Sequence, residues 1–219
     1  MTVAAVIVVP DPAVALSETE GLATVRRVVQ SAWAGGAIPV QVVAAAGADA
    51  DSIRVALDGL PASLLLPDLP PGSQWFGAGI AAARAAVTET SAAILWPVRY
   101  GWVDPETVTS LLEAHGVAPR SLIRASFHGR PGFPILVPVE LGARFGDETT
   151  LHAYELVESL AAEGTPLRLL ELGDPGIVSD VATPRSELPP YQGPPEPAAQ
   201  PPEWNESLAR QAQDRESDT

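Results

Sequence analysis

An α/β fold built on a mostly parallel sheet is the architecture this 219-residue chain predicts. Short apolar runs alternate with amphipathic stretches along most of its length, the order of strands threaded through covering helices. The length suits one domain of ordinary size with a tail, long enough to bury a full core without staples. Where the runs end, turn and cap residues stand in the places that strand and helix ends require.

The elements follow in order. Val3 to Val9 is rich in β-branched residues and closed by a proline, and predicts the first strand. Leu22, Val25, Val28, Val29 and Ala32 recur at helical spacing, and Gly35-Gly36 ends that helix. Val40 to Val43 predicts a strand, Ser52 to Leu57 a short helix, and Ala62 to Leu66 a third strand before the loop "PDLPPGSQWFGAG". Gly77 to Val87 is alanine-rich and reads as a helix, and Ala92 to Val98 as a strand. Asp104 caps a helix that runs to His115, with Pro105 at its first position and Glu106 in its first turn. Leu122 to Phe127 and Phe133 to Val137 are strands around the turn "HGRPG". Asp147 to Ala162 predicts a helix with Leu151, Tyr154, Val157 and Leu160 on or near one face, and Leu167 to Leu172 a last strand.

After Pro184 the composition becomes rich in proline, glutamate and glutamine, with too few apolar residues to offset the entropy of ordering. The domain is therefore expected over 1–186, with a disordered tail over 187–219 whose Trp204 and Leu208 are the sole hint of a docking helix. Such a Pro-rich tail also suits a protein partner.

Charge narrows the function. The formal net charge is −14, and all 13 basic residues are arginines. Without lysine there is no Schiff base and no ammonium to clamp a phosphate, so lysine-dependent mechanisms are excluded. Nucleic acid and anionic membrane surfaces are excluded as general partners, because both need a basic footprint. No stretch approaches the about 20 apolar residues of a membrane span. The opening "MTVAAVIVVPDPAVA" lacks a basic n-region and is broken by Pro10, Asp11 and Pro12, so it reads as a strand and not a signal peptide. Together with the absence of cysteine, this sets the expectation of a cytoplasmic protein.

In an open α/β sheet ligands bind beyond the carboxyl ends of the strands. Four loops lie there: after Val9, around Gln74 to Gly79, at Arg99-Tyr100, and around Asp174 to Thr183. Three segments of the chain carry a resemblance. "VRYGWVDPETV" resembles the segment reading roughly "cDhPlvdpetv" in MobA-like NTP transferases, the molybdenum-cofactor guanylyl- and cytidylyltransferases. "GRPGFPILVPVELGARFGDETTLHAYELV" is similar to that family's "GrrGHPvlf" strand and the helix start that follows it. "DPGIVSDVATPRSEL" resembles its closing "dpgvllDIDTPeDl". Order and spacing hold from about Val3 to Leu188.

The resemblance implies a three-layer α/β/α nucleotide-diphospho-sugar transferase-like (GT-A-like) domain. It also implies an enzyme in which Mg²⁺ and a glycine-rich loop hold an NTP while a phosphorylated acceptor attacks the α-phosphate, chemistry that rests on positioning and charge neutralisation. This sequence departs from the family part by part. The phosphate loop is replaced by "VVPDPAVALSETEG", where proline removes donors and Asp11, Glu18 and Glu20 put negative charge where triphosphate would lie. Arg99 occupies the position of the metal aspartate, and arginine is no ligand for Mg²⁺. Arg99 is left either to bind an anionic ligand in place of the metal's charge or to pair with a carboxylate such as Asp180.

Asp180 is the surviving candidate metal or ribose contact, and with Arg99 the candidate catalytic pair. Phe133 replaces a family histidine and is expected in the core. His152, alone on its helix, is expected to be a surface or half-buried residue and not a ligand. Ser73, Gln74, Gly77 and Gly79 are candidates for contact with a nucleotide or small anion through a helix N-terminus. Trp75, Phe76, Tyr100 and Trp102 add an aromatic rim that stacks on a ring, meets a protein partner or plugs the cleft. The expected function is a nucleotidyltransferase-like domain that has lost NTP and Mg²⁺ activation and binds a ligand or partner. The alternative is an active transferase moving an NMP to a phosphorylated acceptor through an altered site, with Mg²⁺ as cofactor.

Overall fold

The computed structural model describes residues 2–147 and 152–193. Its central sheet has seven strands: β1 (Thr2–Val9), β4 (Val40–Ala44), β5 (Ala62–Leu65), β6 (Thr90–Pro97), β7 (Leu122–Phe127), β8 (Arg130–Pro138) and β9 (Leu167–Glu171). The short β2 (Glu18–Thr19) and β3 (Leu22–Ala23) pair by themselves beside it. The order across the sheet is β5-β4-β1-β6-β8-β7-β9. The β1–β4, β1–β6, β4–β5 and β7–β9 pairs are parallel, and only β8 runs antiparallel to its neighbours. The helices are α1 (Pro12–Leu16), α2 (Thr24–Ala34), α3 (Ala48–Ala56), α4 (Ser73–Ala86), α5 (Pro105–Val117), α6 (Gly142–Asp147) and α7 (Ala153–Ala162).

The period-2 geometry of a strand explains the layers. Along β1, Val3, Ala5, Ile7 and Val9 point to one face and pack with Val25 and Val28 of α2, Ile53 of α3 and Leu111 of α5. Ala4, Val6 and Val8 point to the other, against Phe76 and Ile80 of α4 and Leu156 and Leu160 of α7. A strand apolar on both faces belongs between two helix layers, which is the α/β/α arrangement the sequence predicts.

The start of α5 is built as expected. Asp104 Oδ1 accepts from the Glu106 amide at 3.0 Å, with Pro105 at the first helical position. Beneath it lies a carboxylate the sequence reading did not single out for this role. Asp174, 2% exposed, accepts from the Asp104 amide, the Thr107 hydroxyl and the Gly176 amide at 2.9, 2.7 and 2.8 Å. Burial raises its pKa, and these three donors oppose that shift without cancelling it.

Three expectations are corrected. α4 begins at Ser73 rather than Gly77, so Trp75 and Phe76 sit in its first turn and are buried, not displayed on a loop. The helix expected over 147–162 is instead α6 ending at Asp147 and α7 beginning at Ala153; of the stripe read for it, Leu151 lies outside the described residues. Leu156, not Tyr154, joins Val157 and Leu160 in the core. The packed chain also continues past 187. The Tyr191 hydroxyl donates to Glu106 at 2.8 Å, and Gly173 exchanges backbone hydrogen bonds with Gly193 and Gln192 at 2.8 and 2.9 Å. Composition alone missed this because the segment's order comes from the surface it lies on, not from its own apolar content. Trp204 and Leu208 lie outside the described residues. No helix among the described residues is long and apolar enough to cross a membrane.

Candidate functional site

The carboxyl ends of β1 and β6 open into a cleft of about 450 Å³ between the N-terminal turns of α4 and α7. Val8, Pro10 and Pro97 belong to the strand ends, and Ser73, Trp75 and Phe76 to α4. Tyr100, Phe133 and Tyr154 complete an aromatic lining, and Arg99 and His152 join Ser73 as polar members. The Tyr100 and Phe133 rings lie 5.1 Å apart at 37°. No Asp or Glu is among the described residues that line it.

Arg99 is held there by an ion pair. Its Nε and Nη2 both meet Oδ2 of Asp180. The other Asp180 oxygen accepts from the Ala182 amide at 2.8 Å, and the Val181 amide donates to the Arg99 carbonyl at 2.9 Å. The side chains are 61% and 26% exposed, so the pair is a surface interaction that water and salt weaken. Of the two roles open to Arg99, pairing with Asp180 is the one the geometry displays.

The fit of this site to Mg²⁺ follows from the donors. Magnesium needs several hard oxygens in near-octahedral order. Here one Asp180 oxygen faces a guanidinium, the other an amide, and among the described residues no group of three His, Cys, Asp or Glu is placed to hold a metal. The residues present do not fit the ion. In the loop after β1, Asp11 caps α1, accepting from the Ala13 amide at 2.9 Å, and shares the lining of a small adjoining crevice with Arg99.

The candidates around Gln74 separate. Ser73 lines the cleft. Gln74 turns away and donates to the Pro70 carbonyl at 2.8 Å, bracing the proline-rich loop. Gly77 and Gly79 also face away from the cleft: a Cβ on Gly77 would meet the Gly146 nitrogen at 2.6 Å, and one on Gly79 would meet Val6 Cγ1 at 2.3 Å. Both are needed for close packing, of α4 on α6 and of α4 on β1.

The aromatic rim is also redistributed. Trp102 is not part of the cleft. It is 5% exposed, donates to the Thr183 carbonyl at 2.9 Å, and has the Arg27 and Arg185 guanidinium carbons 5.2 and 5.7 Å from its ring. Trp75 is locked by donation to the Leu69 carbonyl at 3.0 Å. Phe133, expected in the core, is half-buried and forms cleft wall. His152 is exposed as expected, and its amide donates to Glu155 at 3.1 Å.

Sequence reading missed Tyr154 and the residue beneath it. Arg124 on β7 is 1% exposed and donates to Glu158 at 2.7 Å and to the Gly132 carbonyl at 3.3 Å. Its guanidinium lies 3.7 Å from the Tyr154 ring centroid, within cation–π range. Burial lowers its pKa, and Tyr154 and Glu158 oppose that shift. A lone charge inside the strand "LIRASF" was the available signal.

No protein-family model matches the chain, and no curated protein matches it in sequence. Solved structures do match. A nucleotidyl transferase from Methanothermobacter thermautotroptrophicus superposes with a TM-score of 0.66 at 15% identity, over 81% of this chain and 91% of that one. The 4-diphosphocytidyl-2C-methyl-D-erythritol synthase of Anaerococcus prevotii gives 0.63 at 8% identity, over 81% and 89%. Rv0371C of Mycobacterium tuberculosis H37Rv, solved in complex with manganese, gives 0.60 at 14% identity, over 78% and 89%. The chain therefore has the nucleotidyltransferase-like α/β fold, shared with cytidylyltransferases. At these identities the likeness extends to fold alone.

Proposed function

We propose that this chain is a MobA-like member of the nucleotidyltransferase fold that no longer activates an NTP through Mg²⁺ and instead binds a small ligand in the cleft at the ends of β1 and β6. The observation that supports this most directly is the fate of Asp180. Its two oxygens are taken by Arg99 and the Ala182 amide, so the one carboxylate that matches the family's metal residues is spent on an ion pair. The loop after β1 supports the same reading, since Pro10, Asp11 and Pro12 replace glycine donors and basic residues. What persists is a concave, aromatic-lined cavity of ligand size.

A thermal-shift titration of the full chain with ATP, GTP, CTP and UTP, each with and without Mg²⁺ or Mn²⁺, tests the reading. An NTP at 100 times its dissociation constant adds about 2.7 kcal/mol of stability by mass action. No metal-dependent shift and no pyrophosphate release are expected. A shift with one NTP that needs the metal, or measurable turnover, overturns the proposal in favour of an active transferase with an altered site.

A further inference from the structure

The cleft's chemistry narrows what it takes. In a chain of net charge −14, the described residues that line it include no carboxylate, while they include Arg99. Arg99 is only partly consumed. Nε and Nη2 face Asp180, and Nη1 has no protein partner among the described residues. Asp180 is itself fixed by the Ala182 amide, so it orients the guanidinium as well as neutralising part of it. A planar guanidinium offers paired donors along its edges that suit a carboxylate.

Around this cation the walls are rings. Tyr100 and Phe133 form a tilted pair, and Trp75, Phe76 and Tyr154 belong to the same lining. The buried Arg124 behind Tyr154 adds positive charge to that wall, in part offset by Glu158. The volume, about 450 Å³, is near the small end of the range for organic ligands. A polyphosphate is a poor match: its charge would face Asp180 and Asp11, which flank Arg99, and the chain has no lysine to offset it.

We infer that the cleft binds a planar aromatic molecule carrying a single carboxylate, its ring stacked among Tyr100, Phe133 and Tyr154 and its carboxylate on Nη1 of Arg99. This rests on the reading of the cleft as a ligand site. The test titrates the full chain with indole-3-acetate and 2-naphthoate, their uncharged amides, and cyclohexanecarboxylate, followed through the tryptophan indole N–H signals by NMR. The aromatic acids are expected to bind at least tenfold more tightly than their amides and than cyclohexanecarboxylate.

Arg99→Gln, which alters only an exposed pair, is expected to bring the acids to the level of the amides and leave the amides unchanged. Tyr100→Leu is expected to weaken aromatic acids and amides alike while sparing cyclohexanecarboxylate. Equal binding of acids and amides by the unmodified chain, no binding of any probe, or an acid preference that survives Arg99→Gln overturns the inference. If those results accompany silence towards NTPs, the ligand class alone is wrong. A metal-dependent NTP response overturns the underlying reading of the site.

Discussion

Arg99, just past the end of β6, and Arg124, within β7, are both paired to a carboxylate and both close to the same aromatic wall. Their surroundings differ sharply. The Arg99 side chain is 61% exposed and can exchange Asp180 for water or another anion, whereas the Arg124 side chain is 1% exposed and has no such option. Charge near water is adaptable and contributes little to stability. Charge in the interior is conditional on its partner, because desolvation is offset only while the partner is present. One arginine is therefore suited to binding and the other to holding the wall in shape.

The largest effect that would sharpen this contrast is on the interior pair. Glu158→Ala leaves the Arg124 guanidinium buried with only the Gly132 carbonyl and the Tyr154 ring as company, and is expected to lower stability by about 3 kcal/mol in urea unfolding. A loss under about 1 kcal/mol would show that water reaches Arg124 and would break the distinction. Arg124→Met removes the charge and keeps much of the volume. Its expected cost is smaller, about 1 to 2 kcal/mol, since Glu158 is 47% exposed and can return to water.

A second buried base extends the comparison to acid. His115, 1% exposed, faces Ser91 through Nε2 at 3.1 Å, and its Nδ1 has no partner. Because the Ser91 hydroxyl lies 3.3 Å from the Thr2 carbonyl and can donate to it, the arrangement is satisfied with the proton on Nε2 and a bare Nδ1 lone pair. Burial lowers the His115 pKa below 6.5, with Glu140 opposing. The folded state then binds fewer protons than the unfolded state, so stability is held above pH 6.5 and declines as pH falls from there through the folded pKa. A melting temperature that drops between about pH 6.5 and 5 in the parent, and drops less in His115→Gln, is the expected record. No difference between the two profiles would remove His115 from the account.

The smallest effect belongs to the exposed pair. Asp180→Ala is expected to change stability by less than about 1 kcal/mol, and the difference should shrink in 1 M salt. A loss comparable to that of Glu158→Ala would mean that Arg99 is a structural residue after all.

Much of the fold was legible because strands and helices announce themselves locally. The alternating order, the Asp104-Pro105 helix start and the strand "LIRASF" all appear where they were expected, since caps and β-branched runs act over a few residues. The candidate site was legible only in part. The sequence left Arg99 either to bind an anionic ligand or to pair with a carboxylate such as Asp180, and the structure pairs the two. It assigned Gly77 and Gly79 to a ligand, although their lack of a side chain serves α6 and Val6. Glycine marks a close approach without saying to what.

By itself, then, the sequence determined the α/β class, the lack of any lysine or cysteine chemistry and the acidic balance. Those are properties of residue identity and short-range pattern. Only the tertiary structure decided that Asp180 is paired, that Trp102 lies away from the cleft while Phe133 and Tyr154 line it, and that Arg124 is buried behind that wall. It also decided that the chain stays packed as far as Gly193, because Glu106 and Gly173 are waiting for it. Each of these depends on which surfaces meet across long stretches of chain, and no local pattern carries that information.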